Sequence, residues 1–385
     1  MTSSARRRQR LVATLRARGA LHHAQVERAF LTVPREAFVP GLSLDVVYRD
    51  EAILTKVEDG VSVSSSSQPA IMALMLEQLD LFPGARVLEI GAGTGYNAAL
   101  LREITGPSGE VVTVDIDPEV GGWADERLRS SGYGDVLVRC ADGADGWPER
   151  APYDRIELTV GADDIAPAWH EQLVDGGVLV IPLWVRTGQI CLAFERRGDG
   201  FESCSAQPCG FIPLRGRMAA ASHVAEVADG VVALVRDDHT AARARALLRL
   251  PLDSAPWDGH AWDGFSFFAG LWNLPVFSIW ASIDGGAAFR GGGFALIDSE
   301  RDSVALVASA PESSALRLLS FGSRAAAETL ESAHRRWHVL GRPDIDQLSV
   351  TARPLPVAPE PAPYEIAVDT RRWRLLLSRH AGPLR

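Results

Sequence analysis

Between Ala85 and Glu195 the hydrophobic pattern repeats one theme: short β-branched apolar runs alternate with stretches whose apolar residues recur at helical spacing. Ala85–Ile90, Glu110–Asp115, Val136–Cys140, Tyr153–Val160 and Val178–Pro182 are too short and too branched for helices and read as buried strands. Helical pattern fills Asn97–Arg102, Trp123–Ser130 and Pro167–Leu173, the last ended by Asp175-Gly176-Gly177. Gln189–Glu195 and Gly210–Pro213 read as the segments that close the layer. This alternation predicts a doubly wound α/β sheet, in which ligands sit at the carboxyl ends of the strands.

Ahead of this layer, helical pattern runs from about Ser4 to Phe30, with Leu11, Leu15, Val26 and Phe30 as buried positions. Pro34 and Pro40 bracket an amphipathic turn, and Ser64-Ser65-Ser66-Ser67-Gln68-Pro69 reads as a polar loop ending at a helix start. Pro69 is tolerated there because its missing N–H would be unpaired in the first turn anyway. The helix Ala70–Leu79 is apolar over most of its face and therefore well buried.

Residues 218–385 have a different texture and predict a smaller α+β domain after a first domain of residues 1–217. Two helical patterns open it, the second being Thr240–Arg249. Trp257, Trp262, Phe265, Phe267, Phe268, Trp272, Phe277 and Trp280 then crowd together, as an aromatic core or, alternatively, a peptide-docking surface. Phe294–Ile297 and Ser303–Val307 predict a hairpin. Ser323 predicts the N-cap of a helix reaching Trp337, with Glu328 and Glu331 opposite Arg335 and Arg336. Five prolines between Pro354 and Pro363 predict an extended linker before strand-like Tyr364–Val368 and Trp373–Leu377.

Chemistry first enters where the strand Ala85–Ile90 meets Gly91-Ala92-Gly93-Thr94-Gly95-Tyr96. Glycines in a strand-to-helix turn let the backbone approach a nucleotide-like ligand. A dinucleotide motif would place its last glycine at position 96, which is Tyr96, so a pyrophosphate cradle is disfavoured. The turn of an S-adenosylmethionine site fits better, with an ordinary tight turn as the plain alternative. Asp115 ends the second strand, where a carboxylate receives ribose hydroxyls, and Asp142-Gly143 follows the third.

Composition narrows the classes. A net charge of -10 argues against nucleic acid as the main partner, and no apolar run approaches the length of a membrane span. Four cysteines without a CxxC pair suit a reducing cytoplasm. His334 and His338 stand four apart without a third ligand nearby, so no metal site is expected. Asp163-Asp164 reads as loop solvation.

Several separated segments converge on one family. Val33-Pro34-Arg35-Glu36-Ala37-Phe38-Val39-Pro40, the Tyr48/Asp50 pair, Ser65-Ser66-Ser67-Gln68-Pro69, Val87–Tyr96, Asp142-Gly143 with Gly146, Ala151-Pro152-Tyr153-Asp154, Gln172-Leu173 with Gly176-Gly177, and Phe211-Ile212-Pro213-Leu214 occur in its order. Over roughly residues 10–215 the chain resembles the protein-L-isoaspartate (D-aspartate) O-methyltransferases. The resemblance implies S-adenosylmethionine as cofactor and a peptide or protein carrying aspartyl or isoaspartyl residues as substrate. It places Ser65, Ser66 and Ser67 at the active site, with Ser67 as the functional serine. It also implies cofactor contacts from Ser67, Glu89, Gly91, Ala92, Gly93, Gly95, Tyr96, Asp115, Ile116, Asp142 and Gly143.

Two positions depart from the family: Ala70 replaces a histidine and Arg215 a threonine that repair enzymes can carry. The chain also continues for some 170 residues after Leu214. Extended relatives of this kind occur beside ribosomal-peptide tailoring systems, where the methyl ester of an aspartate cyclises to aspartimide. Tailoring is therefore favoured over general isoaspartyl repair. A catalytically inactive, peptide-binding methyltransferase fold is the reading of another class. An acceptor carboxylate with a pKa near ~4 is already ionised at neutral pH, so no general base is expected and the serines are expected to orient it.

Overall fold

The computed structural model describes residues 3–58, 61–219, 223–258, 264–281, 289–309 and 315–379. The N-terminal stretch forms two helices, α1 (Ser3–Ala17) and α2 (Ala24–Thr32), and a short α3 (Leu44–Val47). The expected single helix is broken at Gly19, which takes φ +71°. Leu11, Leu15, Val26 and Phe30 are buried as expected. A hairpin of β1 (Ile53–Glu58) and β2 (Val61–Ser66) follows, then α4 (Pro69–Leu79). The serine stretch is thus mostly strand rather than loop, its backbone paired with Ile53, Leu54 and Lys56.

The alternating layer forms as expected: β3 (Arg86–Ile90), α5 (Tyr96–Thr105), β4 (Glu110–Asp115), α6 (Pro118–Ser130), β5 (Leu137–Cys140), β6 (Tyr153–Leu158), α7 (Pro167–Gln172) and β7 (Leu173–Val185). Strands β5, β4, β3, β6 and β7 lie side by side and parallel. β8 (Gly188–Arg197) and β9 (Gly200–Pro208) extend the sheet antiparallel. Gly210–Pro213 adds no strand: Pro213 makes one isolated bridge to Gly161.

Beyond residue 218 the first helical pattern is instead a hairpin of β10 (His223–Ala228) and β11 (Val231–Val235), followed by α8 (Asp238–Leu247). With β12 (Leu252–Pro256), α9 (Phe265–Leu271), β13 (Val276–Ala281), β14 (Arg290–Asp298), β15 (Ser303–Ser309) and β16 (Leu316–Gly322) this segment builds an antiparallel seven-stranded sheet among the described residues. The expected β14–β15 hairpin is present. Helix α10 (Ala325–Val339) covers it; Ser323 lies one residue before the cap position, Arg324, and its Oγ accepts from Ala325 N at 3.5 Å, while Ser303 Oγ accepts from Ala326 N at 3.1 Å. Glu331 pairs with Arg324, and Arg336 lies over the Trp272 ring.

The chain then returns to the first sheet. β17 (Leu348–Pro354) pairs with β9, and β19 (Trp373–Arg379) lies between β17 and β18 (Ile366–Asp369). A cut at 217/218 is therefore not where the sheets divide, since three strands from beyond it complete a first sheet that has ten strands among the described residues. One hydrophobic core runs through both parts, from Leu183 and Phe201 to Phe265, Phe268, Trp337 and Leu375. Trp262 of the aromatic cluster lies outside the described residues. Asp164 is buried rather than solvated, taking hydrogen bonds from Thr370 and from Arg372 at 3.2 Å. No helix among the described residues is long and apolar enough to cross a membrane.

Candidate active site

The buried strand β3 delivers its carboxyl end to the turn Gly91–Gly95. Gly91 takes φ +103°, and a Cβ there would stand 2.6 Å from Thr159 Oγ1, so only glycine fits. Under this turn Glu89 is fully buried, accepting from Asn97 Nδ2 at 2.8 Å and from Thr113 Oγ1 at 2.5 Å. Burial outweighs those two bonds and pushes Glu89 up to about 7. Its neighbour in β6, Glu157, accepts from the same Asn97 amide at 2.8 Å. Burial and the charge of Glu89 push Glu157 up to about 8.

Asp115 leaves the end of β4 with both oxygens engaged by backbone, Oδ2 by Gly93 N at 3.1 Å and Oδ1 by Asp117 N at 3.0 Å. Burial raises its pKa. Asp117 caps α6, accepting from Glu119 N and Val120 N. It also joins Lys56 of β1 at 2.7 Å and Arg215 at 3.3 Å. Although burial opposes it, these partners hold Asp117 down at about 2.

The serine stretch is held from behind by Arg35. This buried guanidinium donates to the carbonyls of Val47, Arg49, Glu51, Ser66 and Ser67, the shortest contact being 2.8 Å to Val47. Successive strand side chains face opposite ways. Ser64 and Ser66 are accordingly buried, and Ser66 Oγ accepts from Arg35 at 3.4 Å, while Ser65 and Ser67 are half-buried.

One cavity of about 320 Å³ gathers these pieces. Ser65, Ser66 and Ser67 line it together with Gly91, Ala92, Gly93, Tyr96 and Asp115. Glu89, Gly95, Ile116, Asp142 and Gly143 are not on its wall. Glu89 lies beneath the floor, and Gly95 is the residue from which α5 starts. Asp142 is turned to the segment after Leu214: Arg217 N donates to its Oδ2 at 2.9 Å and Arg217 Nε at 3.3 Å. Burial opposes it, but these bonds and one from Ala144 N lower its pKa. Gly216 passes so close that a Cβ would stand 2.6 Å from Asp142 Oδ2. Sequence reasoning gave no site role to Lys56, Asp117, Thr159 or Pro208–Cys209, and quoted Arg35 and Phe211-Ile212 only as matching a family; all of them build or line this site. Only Asp117-Pro118 carried a local signal, the N-cap followed by proline at the first helical position.

The profile of the protein-L-isoaspartate(D-aspartate) O-methyltransferase family matches residues 6–219. The chain belongs to that family. A protein-L-isoaspartate O-methyltransferase of Hyperthermus butylicus is 40% identical over 218 residues, covering 54% of this chain and 88% of that protein. One from Methanopyrus kandleri is 40% identical over 213 residues, covering 55% of this chain and 92% of that protein. A solved protein-L-isoaspartate O-methyltransferase aligns at TM-score 0.54 and 26% identity, covering 89% of this chain and 96% of its own. That match reaches well past residue 219, so the C-terminal part has a counterpart in a solved member.

The fold is that of S-adenosylmethionine-dependent methyltransferases, and S-adenosylmethionine is the family's cofactor. The residues present fit it. The turn at Gly91–Gly93 leaves its backbone open to the cavity, Asp115 offers a carboxylate on the same wall, and the volume lies within the range of small-molecule sites.

Proposed function

We propose that this methyltransferase esterifies the carboxylate of an aspartyl or isoaspartyl residue within a peptide. The observation that carries the reading is that the Gly91–Gly93 turn, Asp115 and the serine stretch are walls of a single cavity. Bound S-adenosylmethionine supplies a methyl group on a positively charged sulfur. The chain's part is then to hold an already ionised oxygen in line and to exclude water, work that lowers barriers by roughly 7–11 kcal/mol. Gly91, Ala92, Gly93, Tyr96 and Asp115 hold the cofactor side. Ser65 and Ser67 orient the carboxylate, and Arg35 keeps their backbone in place. No side chain has to take a proton.

A narrower form of the proposal is the tailoring of a ribosomally made peptide in the cytoplasm, through an ester that cyclises to aspartimide. Ala70 and Arg215 support it. Ala70 presents no imidazole beside Gln68, and Arg215 spans from Asp117 to Glu58 where the family's repair enzymes can carry threonine. The extension itself does not discriminate, because the solved family member shares it. Mass spectrometry after incubation with S-adenosylmethionine tests both levels, using an isoaspartyl hexapeptide and a constrained aspartyl peptide encoded beside the gene. One added methyl on either supports the proposal. Methylation of the constrained peptide alone, followed by loss of methanol, supports tailoring. No added methyl on either would overturn the reading.

A further inference from the structure

A second cavity, of about 430 Å³, lies where the two sheets meet. Trp184 on β7 forms part of one side; Phe267, Val276, Ser278, Trp280 and Phe294 from the C-terminal segment form the other. Pro208, Cys209, Gly210 and Phe211 form a further part of its wall, and the same four residues line the active-site cavity. The two spaces are therefore adjacent, separated by one thickness of chain. That partition is anchored: Gln189 Oε1 accepts from Phe211 N at 2.5 Å, and Gln189 Nε2 donates to Phe211 O at 3.4 Å.

We infer that this second cavity binds an apolar, preferably aromatic, side chain of the substrate peptide next to the residue being methylated. The inference rests on the peptide reading above and adds the side-chain class recognised there. An acceptor residue in the first cavity brings its chain neighbours with it, and an adjacent apolar space is available to them. The lining is mostly aromatic and branched side chains and holds no charged residue among those described, so it rewards apolar burial. Trp184 Nε1 and Thr187 Oγ1, buried without partners, suit an aromatic occupant that also carries a polar group. The occupant is thus a peptide segment carrying a phenylalanine-like residue within a few positions of the acceptor.

Two hexapeptides serve as probes, Val-Phe-isoAsp-Gly-Phe-Ala and Val-Ser-isoAsp-Gly-Ser-Ala. Calorimetric binding is measured to the full chain loaded with S-adenosylhomocysteine, and methylation is followed separately with S-adenosylmethionine. The phenylalanine peptide should bind about 10-fold or more tightly than the serine peptide, as burial of one large side chain predicts. Ser278→Trp, which fills the cavity and touches no cofactor residue, should abolish the difference without altering the affinity for S-adenosylhomocysteine. Equal binding of the two peptides to the unmodified chain would overturn the inference, with no variant needed. A binding preference without methylation of either peptide would sustain this site and count against general isoaspartyl repair, leaving the reaction itself to the constrained aspartyl peptide.

Discussion

The pair Glu89 and Glu157 makes the sharpest prediction about stability. They are neighbours on adjacent parallel strands, both fully buried, and share one amide donor, Asn97 Nδ2. Glu157 Oε1 and Asn97 Oδ1 have no hydrogen-bond partner in the structure. With Glu157 pushed up to about 8, the native state keeps a proton that the unfolded chain releases near ~4.3. Between those values the native state binds more protons, so stability falls as pH rises, by about 1.4 kcal/mol per pH unit for this group. From pH 5.5 to 7.5 that amounts to about 2–3 kcal/mol, on the order of 5 °C in melting temperature. Glu157→Gln removes the titration and keeps an oxygen that can accept from Asn97 Nδ2. Its melting temperature should therefore exceed that of the unmodified chain by more at pH 7.5 than at pH 5.5, the gap widening by about 5 °C. Thermal melts of both proteins at the two pH values measure the gap, and titrating groups outside the Glu89–Asn97–Glu157 cluster cancel in the comparison. Parallel shifts at both pH values would refute the assignment of a proton to Glu157.

Three further outcomes test the site. Asp115→Ala should weaken S-adenosylmethionine binding by one to two orders of magnitude, the loss of hydrogen bonds to a charged group being roughly 1.5–3 kcal/mol; calorimetry showing unchanged affinity would remove it from the cofactor wall. Ser67→Ala should lower turnover by about 10-fold while leaving cofactor affinity nearly intact, and an unaltered rate in single-turnover assays would return the serine to a purely structural part. Arg35→Met strands several buried carbonyls, so urea titration should show a loss of about 3 kcal/mol or more, with turnover falling alongside; a melt matching the unmodified chain would contradict the bracing role.

Much of the catalytic layer was legible because its signals are local. Glu110–Asp115 is the strand read from its β-branched run, and the helix read over Asn97–Arg102 forms after the glycine turn, starting one residue earlier at Tyr96. The serine stretch was misread because serine favours loops; pairing with β1 and bracing by Arg35, more than 30 residues earlier, override that preference. β10 and β11 were read as helix although Asp229-Gly230, between Ala228 and its partner Val231, is a strong two-residue hairpin signal. The fate of Asp164 depended on Thr370 and Arg372, some 200 residues onward, and no local pattern carries that information. Asp142 was read from its turn and strand position, but Arg217 now occupies its carboxylate, a contact set by the path of residues 214–218.

The return of β17–β19 to the first sheet connects these observations. β9 has β8 on one side and β17 on the other, so the strand that leads into Pro208–Ile212 is interior to the sheet. Its final residue, Pro208, begins the partition between the two cavities, and Gln189 on the neighbouring strand fixes the far end of that partition at Phe211. The aromatic cluster divides accordingly. Phe265 and Phe268 are buried in the shared core and hold the sheets together, whereas Trp280 stays half-buried on the cavity wall with Ser278. Core and docking surface were posed as alternatives for this cluster. The fold shows the core role for Phe265 and Phe268, which pack against Phe294 and Phe267 on the wall of the second cavity, and docking in that cavity is what we propose.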